Sequence, residues 1–309
     1  MRILITGGTG LIGSALAREL AGSGHEVVVL TRNPAQAGGL PPGITAAAWD
    51  GRTVEGWAHL ASGAGAIVHL AGENIGAGRW TAERKRRIRD SRVRSGEAVL
   101  AAIRQAAPRP PVLVQASAVG YYGPRGDEAV DESAPAGDDF LARVCVDWEA
   151  STAEAETLGV LRPIIRSGVV LARGGGALPK MLLPFKLFAG GPVGSGRQPL
   201  SWIHLADEVG AIRHLLERGE ATGPFNLTSP EPVSNREFAR AAGRVMGRPS
   251  FLPAPAPALR LALGEMADML LTGQRAVPKR LLELGYTFRF PRIEAALADL
   301  LGKRRPHAA

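Results

Sequence analysis

A glycine-spaced turn near the N-terminus constrains this chain more than any other feature. Arg2 to Thr6 reads as a short buried strand that runs straight into Thr6-Gly7-Gly8-Thr9-Gly10-Leu11-Ile12-Gly13, and helix-spaced apolar residues follow from Leu11 to Ala21. Glycines at positions 7, 10 and 13 permit a tight turn, a close approach of backbone to a pyrophosphate, and close packing of helix on strand. The helix start adds amides without intrahelical partners and roughly half a positive charge. Because the pattern follows a strand and opens a helix, its context gives it meaning. Gly7, Gly8, Thr9, Gly10, Leu11, Ile12 and Gly13 are expected to cradle a dinucleotide.

Beyond this turn, short β-branched runs alternate with helical stretches. Strands are expected at Arg2 to Thr6, Glu26 to Thr31, Ala66 to Leu70, Val112 to Ala116 and Val160 to Leu171, with a weaker one near Thr45 to Trp49. Leu11 to Ala21, Glu83 to Ala106 and Phe140 to Leu158 carry helical periodicity. This order, with right-handed crossovers, predicts an α/β fold: a Rossmann-type doubly wound parallel sheet over residues 1–171 that holds the nucleotide. Past Leu171 the sequence turns to Gly-Pro turns and then mainly helices, so residues 172–309 are read as a smaller, mainly helical C-terminal lobe for substrate, ending in a cap over about 250–300. Ser234 to Glu237 forms a capping box before a helix to Met246. Leu259, Leu263, Met266 and Leu270 recur at helical spacing and are read as core of the cap, not as a site.

The end of the second strand bears on cofactor choice. A chain that prefers NAD(H) would offer an acidic residue to the ribose hydroxyls there, whereas this one has Thr31-Arg32-Asn33. A guanidinium pairs with a 2′-phosphate, and a charge-assisted bond of about 1.5 to 3 kcal/mol makes a preference of about ten- to a hundredfold. NADP(H) is therefore the expected cofactor. Asp50 either meets the adenine amino group or caps a turn.

Other features exclude function classes. No apolar stretch approaches the roughly 18 residues a membrane helix needs, and the first strand leaves no room for a signal peptide; a cytoplasmic protein with no membrane partner is expected. The single cysteine, Cys145, rules out an internal disulfide. No metal site is expected, because His204 has no second ligand at a suitable spacing. The net charge of +8 includes a run from Arg84 to Arg89, with Arg92 and Arg94, on a predicted helix without interleaved aromatics, so no nucleic-acid partner is expected. Oligomeric state is not legible.

Several segments together resemble the epimerase branch of the short-chain dehydrogenase/reductase superfamily. They are the glycine turn, His69-Leu70-Ala71-Gly72-Glu73-Asn74, Ser117-Ala118-Val119-Gly120-Tyr121-Tyr122, Arg166 to Leu171, and Ser201-Trp202-Ile203-His204. More narrowly, with Leu263-Gly264-Glu265-Met266 and Gly273-Gln274-Arg275, the chain resembles an atypical "epimerase family" whose C-terminal domain is of the DUF1731 type. The resemblance implies an NADP(H)-binding fold with Leu70, Ala71 and Gly72 beside the nucleotide. It also implies a segment from Arg166 to Leu171, including Gly168 and Leu171, that closes over the nicotinamide end. Arg92 stands one residue past Ser91 where relatives carry a cofactor-lining asparagine, and is read either as a phosphate or ribose contact or as a surface residue.

The superfamily's working pair is a tyrosine followed four residues later by a lysine, whose ammonium lowers the phenol pKa. This chain lacks it. Val144 and Trp148 stand in the matching places, and the residues four beyond Tyr121, Tyr122 and Tyr286 are Arg125, Gly126 and Phe290. Ser117 occupies the place of the substrate-orienting serine or is a turn former; Tyr121 or Tyr122 is a proton donor or packs; Glu73 is an acid-base group, if burial raises its pKa, or a loop hydrogen-bond acceptor. Trp202 and His204 either line a pocket or fasten the second lobe. Two readings stay open: an oxidoreductase or epimerase acting on an unknown small carbonyl or sugar-like substrate, and an NADP(H)-binding scaffold or regulator, which the resemblance links to cell or plastid division.

Overall fold

The computed structural model describes residues 1–37 and 40–302; residues 303–309 of the expected C-terminal lobe lie outside the described residues. Its centre is a seven-stranded sheet in which every neighbouring pair is parallel. In chain order the strands are β1 (Arg2–Thr6), β2 (Glu26–Thr31), β3 (Ile44–Ala48), β4 (Ala66–His69), β5 (Leu113–Ala118), β6 (Pro163–Ser167) and, after a shorter strand β7 (Val169–Ala172) outside this sheet, β9 (Gly223–Leu227). They lie side by side as β9-β6-β5-β4-β1-β2-β3. The order reverses between β1 and β4, and that switch point opens a crevice at the carboxyl ends of the strands, where dinucleotides bind in such sheets.

Side-chain alternation distributes the core to two faces. Ile3, Ile5, Val27 and Val29 point to the face covered by α1 (Leu11–Gly22) and α5 (Leu205–Glu217). Leu4, Val28, Leu30 and Ile67 point to the opposite face, under α2 (Ala82–Gln105). α3 (Phe140–Ala150) packs beside α2. The last strand, β9, comes from beyond the change of sequence character at Leu171, so the sheet is completed by the second half of the chain.

The expected strand from Val160 to Leu171 is two strands. β6 ends at Ser167, and β7 turns into a small sheet beside β8 (Trp202–His204). Gly168 sits at the crossing, where a β-carbon would come 2.6 Å from the Ser201 carbonyl oxygen, so only glycine lets the chain change partners there. Similarly, the expected helix from Phe140 to Leu158 ends at Ala150, and a separate 3-10 segment runs from Ala153 to Leu158. A third apolar cluster holds the second lobe, with Leu171, Trp202 and Phe238 at its centre and Leu178, Leu182 and Phe185 of α4 (Leu178–Lys186) packed into it. The capping box is formed, with the Ser234 hydroxyl accepting from the Glu237 amide. The stripe at Leu259, Leu263, Met266 and Leu270 is not core: no residue of the helices over Ala256–Leu263 and Asp268–Leu271 is buried.

Candidate functional site

The glycine turn has the shape a pyrophosphate requires. Gly7 adopts φ +69°, and a β-carbon on it would press on the Leu70 carbonyl carbon at 2.9 Å; one on Gly13 would come 2.6 Å from Gly8 Cα. Gly10 caps α1 with no side-chain acceptor, so the first amides of the helix, from Leu11, Ile12 and Gly13, remain free for an anion. Thr9 and Gly10 are exposed at the same turn. Arg32 is exposed at the end of β2, with no ion-pair partner among the described residues. Thr31 beside it is half-buried, and its hydroxyl accepts from the Asn33 amide at 3.3 Å. These groups fit a dinucleotide with a 2′-phosphate. Asp50 caps a turn, accepting from the amides of Arg52 and Thr53, both at 2.8 Å.

At the end of β4 a buried hydrogen-bond chain fixes the nucleotide-side backbone. The Thr6 hydroxyl accepts from the amides of Leu70 and Ala71 at 3.1 and 3.2 Å and lies 2.7 Å from His69 Nδ1. His69 Nε2 is 3.3 Å from the Ser95 hydroxyl, which in turn donates to the Arg92 carbonyl at 3.0 Å. Burial, with help from the Arg92 charge, lowers the His69 pKa to about 3, so the ring is neutral. The sequence reading missed Thr6, His69 and Ser95; a histidine closing an apolar strand was the available signal.

Gly72 and Arg92 meet: a β-carbon at Gly72 would lie 3.2 Å from the guanidinium carbon. Arg92 donates to the carbonyls of Glu73 and Ile88 at 3.1 and 3.0 Å and lies over the Trp148 ring at 4.8 Å. It makes no ion pair among the described residues, and burial lowers its pKa. Its neighbours in the basic run are mostly spent on protein: Arg84 and Arg87 on Glu73, Lys85 on Glu265, Arg89 on Asp147 and Arg94 on Asp90.

A buried network joins α3 to β5 and β6. The Ser117 hydroxyl donates to Glu149 Oε1 at 2.6 Å, and Arg166 grips the same carboxylate with two bonds, at 2.9 and 3.0 Å. Arg166 also donates to the Tyr122 hydroxyl at 3.1 Å, and Tyr122 donates to Asn226 Oδ1 at 2.7 Å. Burial pushes the Tyr122 phenol up to about 12, and its hydroxyl is fully engaged. Tyr121 packs under the Arg166 guanidinium, 3.4 Å from the ring centre. Arg125 bonds the carbonyls of Tyr122 and Pro135, so it pairs with neither tyrosine hydroxyl.

In front of this network lies a cavity of 610 Å³, between α3 and the cap. Its inner wall carries Arg92, Ala118, Cys145, Trp148, Ser167 and Gly168; Trp80 and Phe140 stand further along it, and Glu265, Asp268, Met269, Thr272 and Gln274 close it from the C-terminal domain. The cap expected to be only structural thus supplies part of the wall. Burial pushes the Cys145 thiol up to about 11, keeping it protonated. Of the residues expected at the site, Arg92 and Gly168 line this cavity, whereas Ser117 and Tyr121 do not and Glu73 is engaged by Arg84 and Arg87. Leu171 is fully buried in the lobe core. Trp202 bonds the Glu231 carbonyl, and the His204 ring packs on Phe290, so both fasten the second lobe. Among the described residues, no helix is long and apolar enough to cross a membrane.

This sheet, its glycine turn and the cavity under a C-terminal cap define a dinucleotide-binding α/β protein of the epimerase type. Residues 3–228 match the NAD dependent epimerase/dehydratase family, to which the chain belongs, and residues 254–300 match the DUF1731 domain of unknown function. It is 41% identical over 306 residues to epimerase family protein SDR39U1 of Bos taurus, covering 97% of this chain and 100% of that one. It is 42% identical over 297 residues to epimerase family protein MT2273 of Mycobacterium tuberculosis, covering 96% of each. A crystal structure of human epimerase family protein SDR39U1 (isoform2) with NADPH is similar at a TM-score of 0.86 and 37% identity, covering 97% of this chain and 99% of that one.

Proposed function

We propose that this protein binds NADP(H) and acts as an oxidoreductase or epimerase on a small carbonyl or sugar-like substrate held in the cavity between α3 and the cap. The observation that carries the cofactor half is the free Arg32 guanidinium at the end of β2, where NAD(H) would call for an acid. The relative that was solved with NADPH supports it. In this reading Gly7 to Gly13 and the first amides of α1 hold the pyrophosphate, Arg32 takes the 2′-phosphate, and Leu70, Ala71 and Gly72 lie along the dinucleotide. When bound, NADPH supplies the hydride, and the protein contributes orientation, exclusion of water and polar groups at the cavity wall. Trp148, Val144 and the cap residue Met269 make that wall largely apolar. The site of action is the cytoplasm.

A second reading is favoured by one observation. Val144 and Trp148 hold the places of the tyrosine and lysine, and the neighbouring Ser117 hydroxyl is committed to Glu149. A chain so altered fits an NADP(H)-binding scaffold or regulator. The two readings part on a single experiment: incubation of the purified protein with 4-deuterated NADPH and a metabolite extract. Deuterium in a small molecule, dependent on the protein, supports the enzyme; label that never leaves the cofactor, together with no protein-dependent epimer formed when the extract is given NADP+ instead, supports the scaffold.

A further inference from the structure

The cavity wall contains a hydroxyl backed by a carboxyl that nothing above uses. Ser167, the last residue of β6, lines the cavity beside Gly168. Its hydroxyl oxygen lies 2.6 Å from Glu208 Oε1, and Glu208, in the first turn of α5, is fully buried. Among the described residues the other carboxyl oxygen, Oε2, has no hydrogen-bond partner. Glu208 makes no ion pair among the described residues.

Among the described residues the surroundings offer it no compensating cation. On the elements packed against α5, Glu19 of α1 is paired with Arg213, Arg166 of β6 is gripped by Glu149, and His204 stands beside Asp299. From the C-terminal segment, Tyr286 turns its hydroxyl to Asp207, and Arg289 meets Asp207 through its backbone amide. Arg18 of α1 faces the outer groove with Arg289. An isolated carboxylate in such a place costs several kcal/mol, and the group escapes that cost by keeping its proton.

The proton decides what the cavity sees. A neutral Glu208 donates to the Ser167 oxygen, which frees the serine hydrogen to point into the cavity. An ionised Glu208 takes that hydrogen, and the serine then shows the cavity only lone pairs. We propose that Glu208 is a positioning residue that keeps Ser167 a hydrogen-bond donor toward the carboxamide oxygen of the nicotinamide. The inference rests on the NADP(H) reading for its ligand. Burial pushes the Glu208 pKa up to about 8, so the donor state dominates at neutral pH and is lost above it.

Two measurements on the full chain test it. The first, infrared pH-difference spectroscopy without cofactor, asks only about the proton. A carboxylic-acid carbonyl band that fades as pH rises through about 8, disappears in Glu208→Gln and shifts in Ser167→Ala is expected. No such band in the wild type, or one unmoved in Ser167→Ala, overturns the inference. Should Glu208→Gln fail to fold, Ser167→Ala alone carries both measurements, since that serine is part-exposed.

The second measurement is the affinity for NADPH and for adenosine 2′,5′-bisphosphate, which lacks the nicotinamide, below and above that pH. Wild-type affinity for NADPH is expected to fall about three- to tenfold, the loss of one hydrogen bond. The bisphosphate, and Ser167→Ala with NADPH, should show no such fall. An equal fall in all three overturns the inference while leaving NADP(H) binding in place. Failure of NADPH to bind at any pH overturns the cofactor reading and the carboxamide contact together, and the infrared band then reports on the proton alone.

Discussion

Glu149 and Arg166 face each other in a two-pronged, nearly buried ion pair: Nε to Oε1 at 2.9 Å and Nη2 to Oε2 at 3.0 Å, with side-chain exposures of 12% and 5%. The pair ties α3 to β6, and Ser117 and Tyr122 satisfy what remains of its polar atoms. Removing the carboxylate strands a guanidinium inside the protein, which costs about 3–5 kcal/mol. Glu149→Ala should therefore lower stability by that amount in chemical denaturation. Glu149→Ala combined with Arg166→Met should recover most of it, because two apolar groups replace two charges. Equal losses in the single and double variants would show that the pair is not the source.

Gly13→Ala should abolish dinucleotide binding and destabilise the fold by about 1–3 kcal/mol, because the added methyl meets backbone, which cannot move aside as a side chain can. Gly22→Ala, at the end of the same helix with nothing within 4 Å, is the control and should leave binding unchanged. Equilibrium dialysis with NADPH and a thermal melt on each variant check both.

The pH dependence of stability should carry the mark of His69. Its pKa in the folded protein is lowered from 6.5 to about 3 by burial and the Arg92 charge. Between those values the unfolded chain binds a proton that the folded one refuses. Stability is whole above 6.5 and falls as pH drops toward 3, by up to ~1.4 kcal/mol per pH unit. His69→Asn should flatten this slope in urea titrations at mildly acid pH. An unchanged slope would mean that another group governs the acid limb.

The parts legible in the sequence are those that local chemistry determines. The turn from Gly7 to Gly13 declares itself by its spacing within one strand-turn-helix unit, and Gly10 and Gly13 answer contacts inside that unit. Arg32 follows from its place at a strand end, and the capping box of Ser234 and Glu237 spans only four residues. The parts that were not legible depend on distant partners. The break of the expected strand at Gly168 is caused by the Ser201 carbonyl, and the end of α3 leaves Ser151 packed against Gly96. The polar network gathers Ser117, Tyr122, Glu149, Arg166 and Asn226 from five segments, and no spacing records that meeting.

The central claim, NADP(H) binding through the glycine turn and Arg32, is tested most directly by fluorescence titration of the purified protein with NADPH and with NADH, repeated on Arg32→Asp. Tighter binding of NADPH than NADH by about ten- to a hundredfold is predicted, with the preference lost in the variant and NADH affinity little changed. Equal affinity of the wild-type protein for both nucleotides, or a preference that survives Arg32→Asp, would contradict the account.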